Sequence, residues 1–331
     1  MKTISVILLR RLSLMAREQQ VINPAKAQSQ ALSVESLYTS DKTPDSMLYD
    51  TPQQIADGVW SAIGVTAPAR YENSGHNNNL SFIITSDGVL VVNAGANYLL
   101  AKALHAEIMK ITSQAVRYVV LENAQGHAML GSNYWKEQGA QIIAHVDAAN
   151  EISTHGQSIL EKSKFILKDK MDGTQITMPD KTFSDKLNIE MGDQSIELIN
   201  LDPAHSPGNI IVWLIQKRLV ISGDLAFHQR MLPLFEHSDS TARIKAWDKL
   251  TAFNPAYLIP GPDAPGELDM VTGYTRDQLG YLRQQVALIL ENNRSLADAY
   301  TIDQAAYVHL SQTRAPHTKR CRQVFQSTEF E

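Results

Sequence analysis

The chain has 331 residues, 44% of them apolar, and a formal net charge of −5 with acids and bases interspersed. That length buries one large core or two modest ones, and the mixed charge argues against a nucleic-acid surface, which needs a basic stripe. A lone cysteine, Cys321, excludes an intrachain disulfide and says nothing about compartment.

Residues 1–9, MKTISVILL, begin like a secretory signal, but Arg10-Arg11 interrupts the apolar run, and the Ala-x-Ala form at Ala25-Lys26-Ala27 follows a polar stretch. Residues 1–50 are therefore expected to be an atypical signal or an N-terminal arm. The protein is exported to the periplasm if that signal works and cytoplasmic otherwise. No segment reaches the ~18–20 apolar residues that span a bilayer, so no transmembrane segment is expected.

Strands are expected at 58–65, 80–85 and 89–93, the last two joined by an Asp87-Gly88 turn. Apolar residues at helical spacing (Leu99, Leu100, Leu104, Ile108, Ile111) predict a helix over 98–111. A strand at 118–121, a helix at 132–138 and a strand at 141–144 come next, then a long helix over 146–167, placed to act as a flap over a pocket. Strands near 182–190, 194–201, 210–215 and 218–222 precede a helix at 243–253 and a strand at 257–259. Helices at 277–292 and 295–310 close the chain, the second starting at a Ser295 cap. Trp60, Trp135, Trp213 and Trp247 fall in element patterns and are read as core, and the basic run 314–322 as a solvated helix end or tail.

The segment that carries chemistry is 118–135, YVVLENAQGHAMLGSNYW: an apolar strand, a polar turn and a small-residue entry into a helix. It resembles the strand-to-helix loop of the metallo-β-lactamase superfamily, which reads Thr-His-x-His-x-Asp-His, two residues, then Gly. Aligned on Gly131, Glu122 takes the Thr position, Asn123 and Gln125 the first two His positions, His127 the Asp and Ala128 the last His. A second register makes His127 the last His and puts Glu122, Ala124 and Gly126 in the other ligand positions. Further motifs resemble the family in order. LSFIITSDGVLVVNAG (80–95) is similar to its opening strands, with Asn93 for the usual Asp. DPAHSPG (202–208) carries His205, RLVISGD (218–224) ends in Asp224, and LIPGPD (258–263) has Pro262 where the last His stands. The tail, from Tyr281 through 303–307 to 329–331, resembles the C-terminal helices of the SoxH-like, quinoprotein-relay zinc metallohydrolases.

The resemblance implies an α/β fold, the αββα metallo-β-lactamase sandwich, over 51–270, with a C-terminal helical extension over 271–331. Hydrolytic zinc takes imidazole and carboxylate ligands and keeps one position for water. Carboxamides are weak zinc ligands, and Ala128 and Pro262 offer no donor. Of the implied ligands, His205 and Asp224 stand unchanged, with His127 a third donor. The economical reading is a metallo-β-lactamase-fold protein that has lost the usual dinuclear zinc site. It would be a non-catalytic pseudoenzyme with no cofactor, binding a small molecule or protein partner in the former cleft through Asn123, Gln125, His127 and His205. The alternative is a mononuclear zinc hydrolase of an ester, thioester or lactam, with His127, His205 and Asp224 as ligands, Asp224 as catalytic residue, and Asn123 and Gln125 as hydrogen-bonding support.

Each survivor also has a plainer use. His205 can hydrogen-bond a turn, Asp224 can cap the loop after its strand, and His127 can be a solvated loop residue. His145, His228 and His237 show no ligand spacing and are read as structural or surface groups. Cys321 has no His partner to make it a nucleophile, and Ser132 and Ser206 lack a Gly-x-Ser-x-Gly elbow. No phosphate-binding loop or dinucleotide fingerprint is present.

Overall fold

The computed structural model describes residues 46–201, 205–229, 232–234, 239–307 and 317–329. Twelve strands form two sheets among these residues. The first contains β1 (Gln53–Ala56), β2 (Val59–Ala62), β3 (Leu80–Thr85), β4 (Gly88–Val92), β5 (Val116–Val120), β6 (Gln141–His145) and β7 (Lys181–Phe183), in that spatial order. The second runs β12 (Tyr257–Pro260), β11 (Leu219–Gly223), β10 (Ile210–Leu214), β9 (Gln194–Asn200), β8 (Lys186–Met191). Pairing is antiparallel from β1 to β4 and from β8 to β11, and parallel along β4–β5–β6–β7 and β11–β12.

Successive strand residues face opposite sides of a sheet, and both faces of these sheets are covered. In β4, Leu90 and Val92 enter the layer between the sheets, with Val120, Ile143, Leu198, Val212 and Ile221. Val89 and Val91 face the other way, against Leu100, Leu104 and Ile108 of α1 (Tyr98–Ile111) and Ile152 and Leu160 of α4 (Val146–Leu167). Between those helices lie α2 (Gly126–Met129) and α3 (Ser132–Glu137). Trp213, Val220 and Leu258 on the outer face of the second sheet pack on Ala246, Trp247 and Leu250 of α5 (Ser240–Thr251). The result is the expected αββα sandwich.

The C-terminal helices are α6 (Leu268–Thr272), a π turn (Gly273–Asp277), α7 (Gln278–Glu291), α8 (Leu296–Ala299) and α9 (His317–Glu329). Leu279, Leu282 and Val286 of α7 join Val324 and Phe325 of α9 and Leu232 and Leu234 in a separate apolar cluster. The 295–310 helix stops after one turn. Ser295 does cap it, in a reciprocal box with Asp298, but Thr301 and Ile302 follow, β-branched residues that favour helix less, and Asp303 accepts from Ala305 N to begin a new turn. The basic run is not simply solvated either: Arg320 is buried and donates to Leu232 O and Gln278 Oε1. Trp135, Trp213 and Trp247 are buried, and Trp60 stacks on Phe82. Among the described residues no helix is long and apolar enough to cross a membrane. The 1–45 segment, Asp202, His237 and residues 308–316 lie outside the described residues.

Candidate metal centre

The chain ends of β4, β5, β11 and β12 meet at one rim of the sandwich, and the motif loops leave from there. Two backbone bonds tie the sheets together at this rim: Ile210 N donates to Glu122 O (2.9 Å), and Asn79 N to Gly261 O (2.5 Å). Just after β4, Asn93 adopts a left-handed conformation (φ +69°), and its Oδ1 accepts from Glu122 N (3.1 Å). Asn tolerates that conformation better than most residues, so the departure from the family's Asp still fixes the start of the motif loop.

Glu122 then points inward, and α2 turns His127 back toward it. His127 Nε2 lies 3.1 Å from Glu122 Oε1 and 3.5 Å from Asp224 Oδ2. These three side chains offer ligand atoms that all fall within 4.8 Å of one another. Glu122 and Asp224 are buried, and the His127 side chain is 12% exposed, the most open of the three. This grouping matches the second register, with Glu122 and His127 at the outer positions of the motif. Reading by donor type in the first register passes Glu122 by, because the family has a non-ligand Thr there.

Asp224 is the hub. Its Oδ1 accepts from Asn78 Nδ2 (2.9 Å), while Asn123 Nδ2 and His205 Nε2 each lie 3.4 Å from Oδ2. Behind His205 stands Arg243, from the first turn of α5. It donates to His205 Nδ1 (2.8 Å), Asp224 O (3.1 Å) and Pro233 O (2.7 Å). Burial lowers the Arg243 pKa to about 10, with Asp224 opposing the shift, and leaves it charged at neutral pH. Neither Asn78 nor Arg243 carried a sequence signal. Asn78 comes from the loop before β3, and Arg243 reads there as an ordinary helix residue.

The other expected residues fall elsewhere. Gln125 begins α2 through its backbone, its N–H donating to Asn123 Oδ1 (2.8 Å), and its side chain makes no cap bond. Ala128 and Pro262 are buried without donors. His145 caps α4 by accepting from Asp147 N, and His228 bonds Ala264 O (2.6 Å), so both are structural. Helix α4 does lie over the motif loop, with Ile159 and Ser163 beside Gly126.

Does this donor set suit a metal? Tetrahedral zinc, with bonds of about 2.0–2.1 Å, holds its donors roughly 3.3–3.4 Å apart. The two separations from His127 Nε2, 3.1 and 3.5 Å, bracket that spacing, and all three ligand atoms fall within 4.8 Å of one another. Burial, reinforced by Asp224, raises the Glu122 pKa against the lowering effect of His127 and Asn93. Glu122 Oε2 is buried with no hydrogen-bond partner among the described residues, a costly condition that a cation relieves. Two buried carboxylates, one of them with an unsatisfied oxygen, and an imidazole fit a single divalent ion of the zinc class.

The metallo-beta-lactamase superfamily model matches residues 127–261. Among solved structures, a metallo-beta-lactamase from Pontibacter korlensis superposes with a TM-score of 0.58 at 16% identity, covering 69% of this chain and 98% of that one. The stereoselective inverting sec-alkylsulfatase Pisa1 from Pseudomonas sp. superposes at 0.65 with 13% identity, covering 88% of this chain and 54% of its own. DIM-1 metallo-beta-lactamase gives 0.55 at 12% identity, over 68% and 94% of the two chains. No curated protein sequence matches. These likenesses establish the fold.

Proposed function

We propose that this chain, which carries a metallo-β-lactamase-superfamily domain, holds one zinc-class divalent cation on Glu122, His127 and Asp224 and works as a mononuclear hydrolase of an ester, thioester or lactam. The observation that carries the reading is the convergence of three ligand atoms within 4.8 Å. Such an ion supplies a water nucleophile at neutral pH and polarises the acyl oxygen under attack. Asn78 and Asn123 hold the Asp224 carboxylate in one orientation, as groups behind a ligand do. Asn93 fixes the backbone of Glu122. His127 is the most exposed of the three.

A second reading keeps the fold and drops the chemistry: a metal-free protein that binds a small molecule or a protein partner in the same cleft. The crowd of donors around Asp224 favours it, because Asn78 bonds Oδ1 while Asn123, His127 and His205 surround Oδ2. A carboxylate so provided for needs no cation. The test is turnover of a nitrophenyl ester, an acyl thioester and a chromogenic lactam, with the protein stripped by chelator and then reloaded with zinc. The hydrolase reading expects turnover that falls on stripping, returns on reloading and is lost in His127→Ala. Zinc-loaded protein inert toward all three classes would leave the binding protein.

A further inference from the structure

We infer that Arg243 fixes His205 as its Nε2–H tautomer, which keeps it from serving as a fourth metal ligand. The metal half of this statement rests on the reading just given; the tautomer does not. A guanidinium has five donors and no acceptor. Arg243 Nη2 lies 2.8 Å from His205 Nδ1, in a buried contact. That nitrogen must therefore present its lone pair, and the one proton of a neutral imidazole goes to Nε2. Two further bonds, to Asp224 O and Pro233 O, keep the guanidinium from turning away. Phe227 lies against the ring at 6.1 Å between centroids and 33° between planes, which limits its rotation.

A histidine that ligates a metal ordinarily donates its other N–H to a carboxylate, a carbonyl or water. At His205 the polarity is reversed, because the nitrogen behind the site meets a donor. Binding a cation through Nε2 would strip both ring nitrogens of protons, leaving an imidazolate. The proton instead stays on Nε2, which lies 3.4 Å from Asp224 Oδ2, the oxygen that Asn123 also approaches. The ion thus keeps three protein ligands, with coordination positions open for water and substrate.

The tautomer is read directly from long-range 1H–15N correlation spectra of the ring nitrogens in the full chain, with His205 assigned by the signals lost in His205→Gln. The inference expects the Nε2–H form in both chelator-stripped and zinc-loaded protein. One equivalent of zinc should shift the ring nitrogens of His127 and leave those of His205 in the same tautomer. Arg243→Met should let the Nδ1–H form appear, and the native spectrum decides the matter if that variant does not fold. An Nδ1–H ring in native protein, or a metal-induced shift of His205 Nε2 like that of His127, overturns the inference. Zinc binding with an Nδ1–H His205 would overturn it and leave the hydrolase reading intact. An Nε2–H His205 in a protein that binds no zinc would uphold the tautomer and sink that reading.

Discussion

Gly223 yields the space of its side chain to Glu122: a Cβ built there would stand 1.4 Å from Glu122 Oε2 and 3.2 Å from Glu122 Cβ. The φ of Gly223 is +52°, in the left-handed region. The glycine before Asp224 therefore does two things, turning the chain out of β11 and admitting a second carboxylate. Gly261 is comparably confined, since a Cβ there would lie 2.5 Å from Asp224 Oδ1.

Gly223→Ala should accordingly lower stability by about 2–5 kcal/mol, from left-handed strain and overpacking together, and abolish zinc binding by displacing Glu122. Urea unfolding and metal titration check the two effects. Gly139→Ala is the control: that residue has φ +86° and open space around it, so it should lose about 1–2 kcal/mol and keep its metal.

Asn78→Ala removes the donor to Asp224 Oδ1. Loss of such a supporting bond costs roughly 10–100-fold in metal affinity, and the orphaned acceptor about 1–3 kcal/mol in the stripped protein. Competition with a fluorescent zinc chelator measures the first and denaturant titration the second.

How much of this was legible in the sequence depended on whether local pattern or long-range packing decided the matter. Helix α4 runs over 146–167 as expected, and Leu100, Leu104 and Ile108, at the helical spacing of 98–111, line the buried face of α1. Asp224 lies beside His205, as their motifs imply. Glu122 was hidden because its partner in space is Gly223, a hundred residues away in the chain, and spacing within one loop cannot show which backbone stands aside. Arg243 reads as one more charged helix residue until α5 lays it behind His205. The start of α5 differs for a local reason: Asp239 caps it by accepting from Ala242 N, so the helix begins at Ser240, three residues before the expected Arg243.

Arg320 tests the reading of the basic tail. Its guanidinium bonds Leu232 O and Gln278 Oε1 in the apolar cluster between α7 and α9. Arg320→Ala leaves both acceptors buried and opens a gap, which should lower stability by roughly 3–5 kcal/mol. Lysine cannot reproduce the two-pronged contact, so Arg320→Lys should recover less than half of that loss in thermal unfolding.

His76 supplies a pH dependence. It is buried, its Nδ1 accepts from Tyr49 N (2.8 Å), and burial lowers its pKa to about 4. The unfolded chain takes up the proton near pH 6.5 and the folded one near 4, so stability falls as pH drops through that window. The loss reaches roughly 3 kcal/mol at the lower end. Protonation breaks the Tyr49 bond and loosens the loop that carries Asn78. Denaturation midpoints between pH 7 and 4 should fall in the native protein, and the slope should flatten in His76→Gln. An equal slope in both would remove His76 as its cause.

The most direct test of the metal centre is the stoichiometry and affinity of zinc on chelator-stripped protein, followed by calorimetric titration in the native chain and in Glu122→Gln, His127→Ala and His205→Gln. The account predicts one zinc per chain, lost or weakened at least about 100-fold in the first two variants and still stoichiometric in the third. No binding above background in the native chain, or binding abolished by His205→Gln and indifferent to Glu122→Gln, would contradict it.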